Sequence, residues 1–341
     1  MENEVLLQVK GLSFTYGEEP VLKDVNLIIR RGEKIAVMGS NGAGKSTFFL
    51  NLNGVLKPDS GEILLGGSKI GKKELNLLHK KVGFVFQDAD SQIIAANVRA
   101  EISFGPMNLG LKRSEVIHRV DAAVSYLGLE DLQQRAPHYL SGGEKKQVSI
   151  ADILAMEPEL LIFDEPMAAL DPMNAQRVED ILNKLHEDGK TLLIATHDVD
   201  FAWRFADRIL VFCDGMLIGD GTPAEIFAQK EMMERAHLKK PSIMEVWDAL
   251  LQNELVASTY QASLDWIEEE KYYNRLSTEE ELAAYERMQS RYMEGSEERK
   301  KIDREVYTLR NQLVDESYQN SMDWIEKEKN YGRMSLADEL A

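Results

Sequence analysis

The stretch GSNGAGKST, residues 39–47, has the spacing G-x-x-x-x-G-K-[ST], which is typical of phosphate-binding loops. It follows EKIAVMG (33–39), an apolar segment that we interpret as a buried strand, and it precedes a helical stretch. The alternative is a glycine-rich turn that contains a lysine by chance, and the strand before the motif and the helix after it argue against that alternative. The backbone N–H groups of such a loop form an anion site that the helix dipole strengthens. The predicted nucleotide-binding residues are Gly39, Ser40, Asn41, Gly42, Ala43, Gly44, Lys45, Ser46 and Thr47, with Lys45 on the β- and γ-phosphates and Ser46 on Mg²⁺.

Two adjacent carboxylates end the apolar segment LLIFDEP (160–166). At a strand end, Asp164 can orient Mg²⁺, directly or through water, while Glu165 faces the γ-phosphate and polarises the attacking water. A solvated glutamate has a pKa near ~4.3 and is a weak base, so we expect Glu165 to orient the water and accept its proton late. On their own the two acids would be consistent with simple closure of a strand. Beside a phosphate loop they predict nucleotide hydrolysis.

A second anion site is predicted in LSGGEKKQVSIADIL (140–154). Ser141, Gly142 and Gly143, followed by Glu144, bring a hydroxyl and bare backbone amides to the start of a helical stretch. One nucleotide has only one γ-phosphate to bind, yet the chain offers two phosphate-binding devices. We therefore expect the second site to serve a nucleotide that is held by another chain.

Together these motifs resemble those of the ATP-binding cassette (ABC) ATPases, over about residues 5–245. Short apolar strands that alternate with helical stretches from 48 to 220 independently predict an α/β fold. The resemblance implies a P-loop NTPase cassette with a mostly parallel sheet core, an antiparallel β subdomain and an inserted α-helical subdomain, followed here by an α-helical C-terminal tail. It also implies a head-to-tail dimer that holds two ATP molecules with Mg²⁺. The partner in that dimer is a second copy or a paralogous ATPase.

Further site residues follow from the resemblance, position by position. Gln87 matches the glutamine that contacts Mg²⁺ and the attacking water. His197, in LLIATHD (192–198), matches the histidine that touches the γ-phosphate, and Asp171 matches the aspartate of the loop that links the two ATP sites. Tyr16 matches the aromatic residue that stacks on adenine, although its place in the strand alternation is equally that of a core aromatic.

The sequence departs from the family pattern at two places. Glu144 stands where the signature often has glutamine, and Met167, Ala168 and Ala169 replace the more usual Thr-Ser/Ala-Gly. Neither departure removes a catalytic group, so we expect a competent ATPase.

Residues 86–111, FQDADSQIIAANVRAEISFGPMNLGL, look like the corresponding segment of energy-coupling factor (ECF) importers, the branch often named for cobalt transport. In ABC transporters this segment lines the groove that receives a helix of the membrane subunit. The resemblance implies two partners, a transmembrane coupling subunit and a substrate-capturing membrane protein, and uptake of a B vitamin or of cobalt or nickel ions. The alternative is an ordinary packed loop and helix.

Composition limits the classes of partner. The formal charge of −18 argues against nucleic acid, because binding to a phosphate backbone relies on clustered Lys and Arg. The chain has a single cysteine, Cys213, so an internal disulfide is excluded, and we interpret this residue as a small side chain that fills the core. The six histidines form no metal-ligand spacing. We find no signal peptide and no transmembrane run, which predicts a peripheral protein on the cytoplasmic side of the membrane.

The predicted domains are a cassette at 1–221 with its helical subdomain at about 88–155, a short helical region at 222–253, and an acidic helical tail at 254–341. Within the tail, residues 254–282 recur as 312–340, with Tyr260 and Trp266 matched by Tyr318 and Trp324. Half of the net charge lies in this tail. Both a solvated appendage and an oligomerisation or partner-binding module remain open.

The leading hypothesis is therefore the ATP-hydrolysing motor of an ECF-type importer. One alternative is a soluble ABC ATPase of DNA repair or translation, against which stand the single cassette, the acidic charge and the lack of a long coiled-coil insertion. Another is a nucleotide-responsive scaffold that uses the tail. The imported substrate is left open, because it need never touch this chain.

Overall fold

The computed structural model of the protein describes residues 4–71, 73–246, 260–272, 276–289 and 296–330. The contacts between residues divide the chain into two compact units, Met1–Ser242 and Ile243–Ala341. Among the described residues, no helix combines the length and the apolar character that are needed to span a bilayer.

In the first unit the structure describes ten strands. In chain order they are β1 (Val5–Tyr16), β2 (Glu19–Arg30), β3 (Lys34–Met38), β4 (Ser60–Leu65), β5 (Ser68–Lys69), β6 (Val82–Val85), β7 (Leu160–Asp164), β8 (Thr191–Ala195), β9 (Arg208–Cys213) and β10 (Met216–Gly221). Its helices are α1 (Lys45–Leu52), α2 (Leu75–Lys81), α3 (Val98–Asn108), α4 (Arg113–Leu127), α5 (Gly142–Leu154), α6 (Pro172–Glu187), α7 (Val199–Phe205), α8 (Pro223–Phe227) and α9 (Lys230–Arg235).

Two sheets organise this unit. The larger has the order β10-β9-β3-β8-β7-β6, and its strands run parallel except for β10, which is antiparallel to β9. The smaller is antiparallel, with the order β2-β1-β4-β5. The predicted α/β fold with a mostly parallel core and an antiparallel subdomain is therefore confirmed.

The strand sequences explain the layering. All five residues of β8 and the first four of β7 are buried, because a parallel strand covered on both faces must be apolar throughout. In β1 burial alternates over much of the strand, with Leu12 and Phe14 inside, as a sheet with one wet face requires. Helices α3, α4 and α5 pack together in a second apolar cluster that continues into the large sheet.

In the second unit the structure describes three helices, α10 (Tyr260–Tyr272), α11 (Thr278–Gln289) and α12 (Glu297–Asn330). They surround a small core that includes Ile267, Tyr285 and Ile302. A capping box opens α11, since Ser277 and Glu280 exchange hydrogen bonds of 2.8 and 3.3 Å. The side chain of Trp266 packs against this core, whereas those of Tyr260, Tyr318 and Trp324 lie outside the described side chains, so the predicted matching of the two copies stays a prediction.

Candidate nucleotide-binding site

The order of the parallel strands determines which loops meet. At the carboxyl edge of β3-β8-β7-β6 stand, in turn, the phosphate loop, the loop with His197, the Asp164–Glu165 pair and the loop with Gln87. In open α/β sheets this edge is where ligands bind. Residues that are far apart in the sequence thus lie along one line.

The phosphate loop itself requires glycine. Gly39 has a φ of +140°, and a Cβ there would lie 2.1 Å from the carbonyl oxygen of Phe212. Gly44 is in the left-handed region at φ 101° and caps α1, whose first residue is Lys45. The helix N-terminus therefore opens directly onto the loop.

Lys45 and Ser46 begin α1 with side chains turned back to the loop and the neighbouring strand. Lys45 is 7% exposed, and its Nζ donates to the carbonyl oxygens of Gly39 and Ser40 at 2.7 and 3.1 Å. Burial lowers the pKa of this lysine, opposed by the charges of Glu165 and Asp164. Ser46 donates from Oγ to Asp164 Oδ2 at 2.7 Å, so two of the three predicted Mg²⁺ ligands lie side by side.

Glu165 is held in an uncommon backbone conformation, φ 47°, directly after β7. Its N–H donates to the carbonyl of Ala195 on the adjacent strand at 3.1 Å. Its Oε1 is buried and lies 3.1 Å from Nε2 of His197, but it accepts no hydrogen bond from a described group. A buried carboxylate oxygen that receives no hydrogen bond from the described residues is available to a bound water.

The expectation of an ordinary glutamate pKa at this position is wrong. Burial raises the pKa of Glu165 to about 7, although the backbone of His197 and the charge of Lys45 oppose the rise. Glu165 is therefore a far better proton acceptor than a solvated glutamate. Burial, and then the charge of Lys45, lowers the pKa of His197, which favours its neutral form.

These groups surround one cavity of about 350 Å³. Its lining includes residues 41–47 of the phosphate loop together with Gln87, Asp164, Glu165 and His197. Tyr16 is not part of that lining. Its ring is half-exposed and meets Phe14 edge-on, with 4.9 Å between the ring centroids.

The second predicted anion site lies elsewhere on the surface of the same unit. Ser141 caps α5 in a complete capping box, in which its N–H donates to the Glu144 carboxylate at 2.7 Å. Ser141 and Gly142 are exposed and do not line the nucleotide cavity. Asp171 caps α6 by accepting from the N–H groups of Met173 and Asn174.

Sequence reasoning missed two polar residues that hold these loops. Lys146 in α5 donates to the backbone of Phe86 and Gln87. Asn174 donates to Asp171 and packs against Gly143 at the glycine-rich start of α5. No local pattern indicated the contacts of Lys146 with residues 86 and 87 or of Asn174 with Gly143, because these residues are distant in sequence.

Comparison with known proteins agrees with this geometry. The ABC transporter family matches residues 22–168. The chain is 43% identical over 274 residues to an energy-coupling factor transporter ATP-binding protein of Methanothermobacter thermautotrophicus, a match that covers 80% of this chain and 86% of the relative. The chain belongs to the ABC transporter family.

Solved ABC structures extend the likeness to the fold. CbiO1 from Clostridium perfringens, described as part of the ABC transporter complex CbiONQ, is 40% identical with a TM-score of 0.62, over 72% of this chain and all of that one. A dimeric ATP-binding cassette bound to ADP and Pi is 31% identical with a TM-score of 0.58, over 64% of this chain and 99% of that one. The protein is accordingly an ABC ATPase, which binds and hydrolyses ATP.

Proposed function

We propose that this ABC ATPase is the motor subunit of an ECF-type importer, which couples ATP binding and hydrolysis to uptake of a B vitamin or of a cobalt or nickel ion. Likeness to an energy-coupling factor ATP-binding protein and to CbiO1 supports the importer class. The single observation that carries the enzymatic part is the convergence of the phosphate loop, Asp164, Glu165, Gln87 and His197 on one cavity.

In the proposed mechanism the triphosphate lies on the amides of the phosphate loop, and Lys45 leaves its loop carbonyls to meet the β- and γ-phosphates. Ser46, Asp164 and Gln87 offer the hard oxygen ligands that Mg²⁺ prefers, and Ser46 and Asp164 already stand 2.7 Å apart. Bound Mg²⁺ would supply charge neutralisation at the phosphates. The residues present therefore fit the ion.

Glu165 is proposed to orient the attacking water and to take its proton. Its raised pKa and its unpaired Oε1 suit that role, because a general base works best when its pKa lies near the working pH. His197, whose Nε2 lies 3.1 Å from Oε1 of Glu165, is proposed to contact the γ-phosphate. Proton transfer can then occur earlier than an ordinary glutamate would allow.

The second nucleotide-binding surface is proposed to act across a dimer. Ser141 and Gly142 are exposed at the start of α5, so they are available to the γ-phosphate on a partner chain. The dimeric form of a related cassette supports this arrangement. The partner is a second copy of this chain or a paralogous ATPase.

Residues 88–111 are proposed to receive a helix of the membrane coupling subunit. Ile94, before α3, and Phe104 and Met107, within α3, are large apolar side chains that are 70%, 48% and 64% exposed, and Phe104 also lines a cavity of about 420 Å³. Several exposed large apolar side chains on one segment are consistent with an interaction site. The same loop carries Gln87, so a docked helix can bias the contacts of the γ-phosphate.

The proposed catalytic role is tested with Glu165→Gln, which keeps the size of the side chain and removes its charge. We expect the variant to bind ATP with unchanged affinity, to dimerise stably and to turn over at least a hundredfold more slowly. Glu187→Gln, an exposed glutamate at the end of α6, is the matched control. Near-normal turnover of Glu165→Gln would refute the assignment.

The dimer and the docking face need separate experiments. Mixing Ser141→Arg chains with Lys45→Ala chains should restore one composite site per mixed dimer, and activity no higher than the sum of the two mutants would contradict action in trans.

The docking face is tested with Ile94→Asp or Ala96→Asp. Either variant should abolish both co-purification with the membrane subunits and transport, while ATP hydrolysis by the isolated chain persists. Equal loss of both activities would exclude a specific docking role.

A further inference from the structure

Lys146 is a lysine where a helix would ordinarily place an apolar residue. It lies in α5, five residues after the capping Ser141, and it is only 2% exposed. Its Nζ donates to the carbonyl oxygens of Phe86 and Gln87 at 2.9 and 2.6 Å. The ammonium thus binds two consecutive carbonyls of the loop that carries Gln87.

This burial is costly, because both acceptors are neutral groups. Loss of hydration lowers the pKa of Lys146 to about 8, and only the more distant charges of Asp88 and Asp164 oppose the shift. Burying a cation without a bonded carboxylate costs more free energy than burying an amide or an apolar side chain. Retaining the charge here points to a task that a core filler would not perform.

That task is set by the loop. After β6 ends at Val85, residues 86–88 form no regular element, and much of their polar contact is with side chains from other elements. Lys146 occupies the carbonyl on each side of the bond between Phe86 and Gln87, which restrains both peptide planes. The Gln87 side chain, itself exposed, is thereby left on the cavity side, where it lines the nucleotide site.

Neighbouring contacts join the same helix to the rest of the loop. Lys145 forms a 2.6 Å ion pair with Asp90, and Gln92 donates to the carbonyl of Ser149 at 2.8 Å. Lys146 differs from both because it acts on Gln87 itself and is buried. Ser141, the cap of α5, lies roughly 7.5 Å from Lys146 along the helix axis, at the rise of about 1.5 Å per residue.

We propose that Lys146 is a positioning residue for Gln87: it ties the backbone of Phe86 and Gln87 to the helix that begins at the signature Ser141. This inference rests on the proposed function, in which Gln87 serves the ATP on its own chain and Ser141 serves the ATP of the partner. One rigid helix then links both sites. When α5 shifts on binding the partner's nucleotide, Lys146 carries Gln87 with it.

A double-mutant cycle of Lys146→Met and Gln87→Ala in the full chain, assembled with its partner subunits, tests the proposal. Methionine keeps the length of the side chain but removes the donor. We expect Lys146→Met to lower kcat at least tenfold with the KM for ATP within threefold, and to lower it less than twofold more in a Gln87→Ala background. Lys146→Gln, which retains one donor group, should recover part of the lost kcat.

Lys190→Met is the matched control, since Lys190 also donates to a backbone carbonyl, that of Pro158 at 2.9 Å, away from the cavity. It should leave kcat unchanged.

Three outcomes would overturn the proposal: fully additive losses in the double-mutant cycle, an unchanged kcat in Lys146→Met, or no recovery of kcat in the folded Lys146→Gln protein. If Gln87→Ala alone leaves kcat unchanged, it is the role of Gln87 that fails, and the two failures are thereby distinguished.

Discussion

The Asp152→Asn substitution should stabilise the cassette, and more so as the pH rises. Asp152 lies in α5, only 9% exposed, where its Oδ2 accepts from Gln92 at 3.2 Å. Burial raises the pKa of its carboxyl from 3.8 to about 7, the bond from Gln92 opposes the rise, and the nearby Glu101 adds to it. Asparagine keeps an acceptor for Gln92 and never carries the charge.

The sign follows from proton linkage. Well below pH 3.8 the carboxyl is protonated in both folded and unfolded chains, so the substitution changes nothing through this charge. Between pH 4 and 7 only the unfolded state releases the proton, which makes unfolding progressively easier for the parent protein. Above pH 7 the folded state also ionises and the full penalty is present. With one pKa unit worth about 1.36 kcal/mol, the variant should gain about 2 kcal/mol at pH 5.5 and about 4 kcal/mol at pH 8.5.

Urea unfolding of parent and variant at several pH values, followed by fluorescence, measures this difference. The tail contributes equally to both proteins, so the difference reports on the cassette. Asp131→Asn, an exposed aspartate in the same unit, should change stability at no pH. A gain that does not depend on pH, or a loss of stability at pH 8.5, would refute the reasoning.

Three further outcomes are expected. Gly143→Ala should lower the steady-state ATPase rate more than tenfold, because a Cβ at this position would lie 2.3 Å from Oδ1 of Asn174 and would displace that side chain from Asp171. An unchanged rate would show that this packing is dispensable. Cys213 should react with a thiol reagent at least a hundredfold more slowly in the folded protein than in denaturant, because the residue is buried and burial raises the pKa of its thiol. Equal rates would contradict its buried position in β9. A chain truncated after Asn253 should keep its ATPase activity in a direct assay, since the described residues of the cavity all lie upstream; loss of hydrolysis by a folded, ATP-binding fragment would assign the tail to the motor.

The sequence determined the parts of this protein whose physical reason is local. A phosphate loop, a strand that ends in Asp164 and Glu165, and the start of α5 at Ser141 are each contiguous, so spacing and periodicity were enough to predict them. The largely apolar strands predicted a parallel sheet in the same way, because a strand that is buried on both faces needs apolar residues along its own sequence.

Only the tertiary structure decided what depends on distant contacts. The order β3-β8-β7-β6 brings His197 to Glu165, and the surrounding burial, which no local pattern encodes, raises the pKa of that glutamate to about 7. The bond from Lys146 to Phe86 joins residues 60 positions apart. A lysine in an amphipathic helix normally faces water, so its sequence context predicts exposure; the packing of α5 against the end of β6 buries it instead.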